Sequence, residues 1–525
     1  MEKCRGSVSV SVRALALAGL VLLGWRAGAQ DLPTPPSTLT LAAFLRDVIR
    51  TNPNIREARL QWLISTGQAR AEWGAYEPTL VASAKEEGLH QQNTALEQFQ
   101  QLGTPLYDEK NDAYSVSVEG NLPSGANYNL GASVTRLQDT YVEGGQYKTF
   151  LGVSAQQPLL KGFTHGAPEA SIRSAFEDRI IAFHQYRRQL MVAVTQAEAV
   201  YWNLAFAQEV LRMDADSVTV AQDLLTIARA AAAAGRMSDL DVQEADAELA
   251  TREATREDGQ LSVTEAGRQL ELLLGGGWNR PGGVPEATDA LIQDNHAAWN
   301  PDAQARSLEA WAERAQPDYM IESEQVRKEN VLVGLQQDQA LPELNLTGSY
   351  GYTGLGDTPQ DSLDALGTQS YPTWSLGLEL RLPLLLGVRQ RNDVEVEELK
   401  RELAASRMAA VKEQMQATIA SLVQSIATLR DHVGNLHRVV EIKSDLLTVQ
   451  TARLKAGTAS LLEVYSAEDA LRQARQQELE AVVRYRQAAM DLERASGSVL
   501  RDHALEELSG GQVILNDSLR SPLVD

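Results

Sequence analysis

Cysteine is almost missing from this chain. The only one, Cys4, falls inside a stretch that reads as an export signal. Lys3, Arg5 and Arg13 give a basic start, residues 14–25 an apolar core, and Ala27, Gly28 and Ala29 a small-residue cleavage pattern. Cys4 sits too early to carry a lipid. With residues 1–29 removed, neither a disulfide nor thiol chemistry is expected. Long apolar runs are missing too. No later stretch reaches eighteen apolar residues, so an exported chain of this kind can cross a membrane only through strands.

Histidine is scarce as well, with seven in 525 residues. His432 and His437 are five apart, not the four that sets two ligands on one helix face. Residues 275–283 (GGGWNRPGG) lack the strand, lysine and hydroxyl of a phosphate loop and read as a linker. Carboxylates are too common for any pair to stand out as acid–base machinery. We therefore expect no enzyme, no cofactor and no metal site. The 70 Asp and Glu against 48 Lys and Arg argue against nucleic acid as a partner. The ordinary reading of that excess is a solvated helix surface.

What is present is repetition. Pro53 and Pro317 are 264 apart, as are Pro78 and Pro342. QPLLKGF (157–163) returns as LPLLLGV (382–388), and DLLTI (223–227) as DLLTV (445–449). AAGRMSDLDV (233–242) returns as KAGTASLLEV (455–464), 222 residues on. Gly235 and Gly457 read as helix stops, and Ser238 and Ser460 as the following starts. An ordered series of this kind points to an internal duplication.

The boundaries drawn from it run as follows. Residues 30–51 are an extended, Pro-rich leader and a short helix. Residues 52–275 are the first repeat, with strands over about 78–158, a long helix over about 168–234 and a return helix over about 238–275. Residues 276–315 are a linker and equatorial region. Residues 316–499 are the second repeat, with strands over about 343–383, a long helix over about 388–456 and a return helix over about 460–497. Residues 500–525 are a C-terminal tail. In the last helix Ala467, Ala474, Ala481, Ala488 and Ala495 recur every seven residues, a seam that lets helices approach closely.

The strands alternate strictly. Leu344, Leu346, Tyr350 and Tyr352 alternate with polar residues, and so do Trp374, Leu376, Leu378, Leu380 and Leu382. Such runs suit a tilted transmembrane strand with an aromatic girdle, although a soluble sheet with one wet face shares the pattern. The first repeat holds 80 residues between Pro78 and Pro158, against 41 between Pro342 and Pro383. The excess carries another alternating pair, 114–122 and 126–135, around the turn at 123–125.

With these features the chain resembles the TolC-like outer membrane efflux proteins (outer membrane factors). The resemblance rests on the duplication, the helix starts at Pro53 and Pro317, the PLL corners and the paired glycine turns. It implies an α+β membrane protein in which a duplicated helix-strand-strand-helix-helix repeat forms a trimeric outer-membrane β-barrel. A long periplasmic α-helical barrel continues it. The implied role is a passive channel-tunnel of a tripartite efflux or type I secretion system, in contact with outer-membrane lipid, a periplasmic adaptor and an inner-membrane transporter. The alternative is a periplasmic or surface coiled-coil scaffold without a pore.

By resemblance, the glycine turns are periplasmic tips where the adaptor docks, with Gly235, Arg236, Gly457 and Thr458 as contacts. Acidic residues just past them, Asp241, Glu244 and Glu463, would narrow the pore. Asp241 and Glu463 also suit a helix start, where the dipole favours acids. The family's gate-locking arginine would fall at Ala459, and its second acid at Ser466, so both are missing here. Family members contribute four strands each; this chain offers six, so a wider barrel or an external ribbon is expected.

Overall fold

The computed structural model describes residues 38–506, apart from 101–102, 104, 140–144, 164–165, 276–282, 292–300 and 383–386. The expected export signal, most of the Gly-rich linker and the second PLL corner lie outside the described residues.

The chain opens with β1 (Thr38–Leu39), α1 (Leu41–Thr51) and α2 (Pro53–Ala71). α2 starts because Asn52 Oδ1 accepts the amides of Asn54 and Ile55, at 2.9 and 3.3 Å, while Pro53 occupies the first turn, where its missing N–H costs nothing. Then come β2 (Thr79–Gln92), α3 (Ala95–Gln100), β3 (Leu106–Asn121), β4 (Asn127–Asp139) and β5 (Gln146–Pro158). Two helices follow, α4 (Ala167–Ala233) and α5 (Asp239–Leu273). β6 (Glu286–Ala287) and α6 (Pro301–Ala315) lead to α7 (Pro317–Gln339), β7 (Glu343–Gly356), α8 (Pro359–Gly367) and β8 (Pro372–Arg381). The chain closes with α9 (Val388–Lys455), α10 (Leu461–Ser496) and α11 (Val499–Asp502).

α4 and α9 have 67 and 68 residues, so each runs about 100 Å. Shorter helices lie along them, α2 and α5 on α4, α7 and α10 on α9. The alanine seam of α10 is inside: Ala467, Ala474 and Ala481 are buried beside Val464 and Leu471. Ala488 and Ala495 pack on Ile419, Val423 and Ile426 of α9. No helix among the described residues is long and apolar enough to cross a membrane.

The largest core gathers the chain's scattered pieces midway along α4. Leu39, Phe44, Leu45, Tyr201, Leu204, Leu270, Leu500 and Leu505 are all essentially closed to solvent. β1 pairs with β6, and Tyr201 donates to Asp289 Oδ2 at 2.6 Å, which also accepts the Leu41 amide at 2.7 Å. Val499, Leu500 and Leu505, at and past the boundary assigned to the C-terminal tail, belong to this core.

All six longer strands form one antiparallel sheet, in the order β2-β3-β4-β5-β7-β8. The extra pair, β3 and β4, sits inside the sheet, between β2 and β5. Register then makes two unlike faces. Leu80, Val118, Leu130, Val153, Tyr350 and Trp374 are successive cross-strand partners on one face. One residue along, Thr79, Glu119, Asn129, Ser154, Ser349 and Ser375 partner one another on the opposite face. Most of the apolar face is bare, with Leu80 69% and Leu376 72% exposed. The polar face lines a hollow of about 820 Å³ with Glu119, Asn129 and Ser375 at its wall.

The sheet joins the helices at one end. There the β3–β4 turn closes at Gly125, φ +79°, where a Cβ would meet the Gly162 carbonyl oxygen at 2.0 Å. The Gly162 amide donates to both oxygens of the buried Asp338 carboxylate, at 2.9 and 2.8 Å, fixing the β5–α4 corner to the end of α7.

Candidate pore gate and helical tips

The two glycine turns are built alike. α4 ends with Gly235 at φ +72°, its amide donating to the Ala232 carbonyl and that of Arg236 to Ala231, both at 2.9 Å. α9 ends with Gly457 at φ +75°, its amide donating to Leu454 and that of Thr458 to Arg453, again at 2.9 Å. Such a left-handed residue satisfies the last carbonyls of a helix, and glycine takes it without a Cβ penalty. Thr458 is further held: its hydroxyl donates to the Arg453 carbonyl at 3.1 Å.

The next helices start with reciprocal caps. Ser238 Oγ accepts the Asp241 amide at 3.2 Å, and Asp241 Oδ2 accepts the Ser238 amide at 2.7 Å. Ser460 and Glu463 repeat this at 3.3 and 3.2 Å. Asp241 and Glu463 therefore hold the turns that carry them. Hydrogen bonds from the Ser238 backbone and hydroxyl draw the Asp241 pKa below its usual value, so it is ionised at neutral pH. Glu463 and Glu244 are exposed. So are Gly235, Arg236, Gly457 and Thr458.

The fold brings the two turns together. Leu224, Leu225 and Ala228 of α4, Ala245 of α5, Leu454 of α9, and Leu461 and Val464 of α10 share one apolar core. Ala459 packs against it, as do Met237 and Val242. Leu240 and Leu462, each five residues past its glycine, point outward and are 63% and 76% exposed. Both lay within the repeated motif, where their apolar character at a surface position was the available signal.

Higher up, Arg252 of α5 is buried among carboxylates. It meets Glu248 at 2.6 Å, and Glu468 and Asp469 of α10 at 3.1 and 2.5 Å. Ser217 of α4 donates to Glu468 at 2.6 Å. Burial alone would lower the Arg252 pKa; its bond to Asp469 and the charges of Glu468, Asp469 and Glu248 outweigh burial and raise it. Sequence reasoning missed this joint, because one arginine among many on a charged helix has no local mark.

One cluster has metal-ligand composition. Glu198, Glu493 and His503 place ligand atoms within 4.8 Å of one another. In the structure its members pair with one another. His503 Nε2 lies 3.0 Å from Glu198 and 3.4 Å from Glu493, and Trp202 donates to the other Glu198 oxygen at 3.1 Å. Burial opposes charge on His503, but bonds to both glutamates outweigh it and push the pKa up to about 10.

A bare apolar sheet continued by helices of this length defines the class: a TolC-like outer membrane channel fold. Residues 323–498 match the family described as "Outer membrane efflux protein". The chain is 23% identical over 276 residues to Nodulation protein T of Rhizobium leguminosarum bv. trifolii, covering 52% of this chain and 56% of that one. It is 24% identical over 242 residues to Outer membrane protein OprJ of Pseudomonas aeruginosa, covering 45% and 47%. The chain thus spans about half the length of the curated relatives it matches. Its fold is similar to the Campylobacter jejuni CmeC outer membrane channel, with a TM-score of 0.58 at 15% identity over 89% of each chain. The chain is thus similar to outer membrane efflux proteins in sequence over residues 323–498 and to a solved outer membrane channel in fold over most of its length.

Proposed function

We propose that the protein is a passive outer-membrane channel-tunnel for efflux or secretion. Three copies close side by side, β8 of each pairing with β2 of the next, so that three sheets of six strands make one barrel. The helices continue it as a periplasmic tunnel, and each chain is a duplication whose halves supply equivalent walls. An inner-membrane transporter and a periplasmic adaptor deliver substrate at the tips. There Gly235, Arg236, Gly457 and Thr458 meet the adaptor, and Asp241, Glu244 and Glu463 ring the narrow end. The chain moves solutes and performs no catalysis.

One observation carries this reading: an apolar row that runs across all six strands and is largely exposed, backed by a polar row on the opposite face. A scaffold in water would have to cover that face, since monomeric soluble proteins rarely leave so large an apolar patch open. Lipid covers it without further structure, and closure removes the unpaired edges that lipid does not tolerate.

The test is native mass measurement in detergent, with planar-bilayer recording on the same sample. A trimer that conducts is expected. A detergent-independent monomer without conductance would leave the scaffold.

A further inference from the structure

The segment between β7 and β8 does not simply turn. It forms α8 and folds back onto the sheet. Thr149 and Gly354 are direct cross-strand partners, on the face that carries Leu151, Val153 and Tyr350. α8 lies on that apolar face. The Thr149 and Ser362 hydroxyls meet at 2.7 Å, and both residues are closed to solvent. A Cβ at Gly354 would come 2.0 Å from the Ser362 carbonyl oxygen, and one at Gly356 2.6 Å from the Ser362 amide. Two glycines in a strand weaken it, and they mark a close backbone approach. The bed for α8 is thus built into β7.

The position of α8 along the barrel follows from topology. β5 enters α4 at Pro158, so its Tyr147 end is the end away from the helices. Thr149 and Gly354 lie toward that end. Just below α8 sit Tyr350 and Tyr352, whose hydroxyls meet at 3.0 Å, and Trp374 and Tyr371, 71% and 64% exposed. Such aromatics mark a membrane–water boundary. α8 itself is capped by Thr358 Oγ1, which accepts the Asp361 amide at 3.2 Å. It leaves Leu363 46% exposed, beside Gln360, Asp361 and Asp364 at the surface.

We propose that α8 is an interfacial helix: it lies flat on the outside of the barrel in the headgroup layer of the outer leaflet, with Leu363 entering lipid as the upper edge of the apolar belt. The occupant of its free face is lipid because that face continues the exposed apolar face below it, and because a helix with an apolar edge and a polar side can lie in the interface plane. This inference rests on the barrel reading and adds a contact that the strands alone do not make.

The experiment uses single-cysteine variants of the full chain, made in a Cys4-free background and labelled with bimane in proteoliposomes. L363C reports on α8, L378C on the belt and E86C on the aqueous rim. Quenchers are a headgroup nitroxide lipid, a mid-chain nitroxide lipid and iodide. Bimane on L363C should lose most of its fluorescence to the headgroup nitroxide, and that on L378C to the mid-chain one. Adding G354V should unseat α8 and make the L363C label iodide-sensitive like E86C. Iodide quenching of L363C without G354V, with L378C still quenched by lipid, overturns the proposal and leaves the barrel intact. Protection of L363C from every quencher would put a second copy there and also overturn it. Failure of L378C to sense lipid would sink the barrel reading, and this proposal with it.

Discussion

Arg252 on the first hairpin meets Glu468 on the second at 3.1 Å, with their side chains 7% and 9% exposed. Among the described residues, Arg252 makes the only ion pairs that join α5 to α10, to Glu468 and to its neighbour Asp469. Removing the guanidinium strands a buried carboxylate. The variant R252M should lose about 3–5 kcal/mol of stability, read as a lower thermal midpoint in detergent. Replacing both partners by apolar groups, R252M with E468M, should lose less, because the most buried of the three carboxylates is then gone and the two that remain, Glu248 and Asp469, are closer to solvent. Equal losses in single and double variants would show that the pair is not the joint.

His503 sets a pH dependence. Its folded pKa, pushed up to about 10, stands above the unfolded value near 6.5. A raised pKa in a base stabilises the fold while the group is charged. That stability is full below about pH 6.5 and is lost as pH rises through about 10. The thermal midpoint should therefore hold from pH 5 to 6.5 and fall toward pH 10. In H503Q the starting value should be lower and the slope flatter. A parental slope retained in H503Q would assign the titration elsewhere.

The long helices and both turns were legible in the sequence because their signals are local. Glycine at a left-handed stop, serine three residues before an acid, and heptad alanines all act within one or two turns of chain. The alternating strands were legible for the same reason. What was not legible is non-local. Nothing local says that β3 and β4 enter the sheet between β2 and β5, or that Leu39, Tyr201, Leu270 and Leu505 meet in one core. α8 was not anticipated, because only the fold shows what lies against Gly354 and Gly356. Asp241 and Glu463 were legible as both cap and gate candidates; the structure displays the cap.

That ambiguity can be separated at the tips. Alanine at Asp241 and Glu463 would remove cap and charge together. D241N with E463Q keeps a side-chain acceptor for the cap and removes only the charge. In planar bilayers this double variant should conduct more and prefer cations less, since a constriction lined by carboxylates draws cations and repels anions. Its thermal midpoint should stay near the parent's. Parental conductance and selectivity would make the two acids caps alone and move the aperture elsewhere.

The strand count is the widest departure from the family pattern, and each face of the extra pair gives its own answer. Leu130 lies on the apolar face, between Val118 and Val153, and Asn129 on the polar one, between Glu119 and Ser154. If β3 and β4 span the membrane, L130R puts a cation into lipid and should cost about 2–4 kcal/mol near the midplane, falling toward the interfaces. N129R faces the water-filled lumen and should cost little while lowering cation conductance. Cysteines at Val116 and Leu130 should resist a bulky aqueous thiol reagent in intact membranes, whereas cysteines at Ser117 and Asn129 should react through an open pore. The assay reads protection and stability separately, so a misfolded variant cannot pass for a protected one. Ready labelling of Val116 and Leu130, with L130R as stable as N129R, would take these strands out of the bilayer and return the membrane part to four strands per chain.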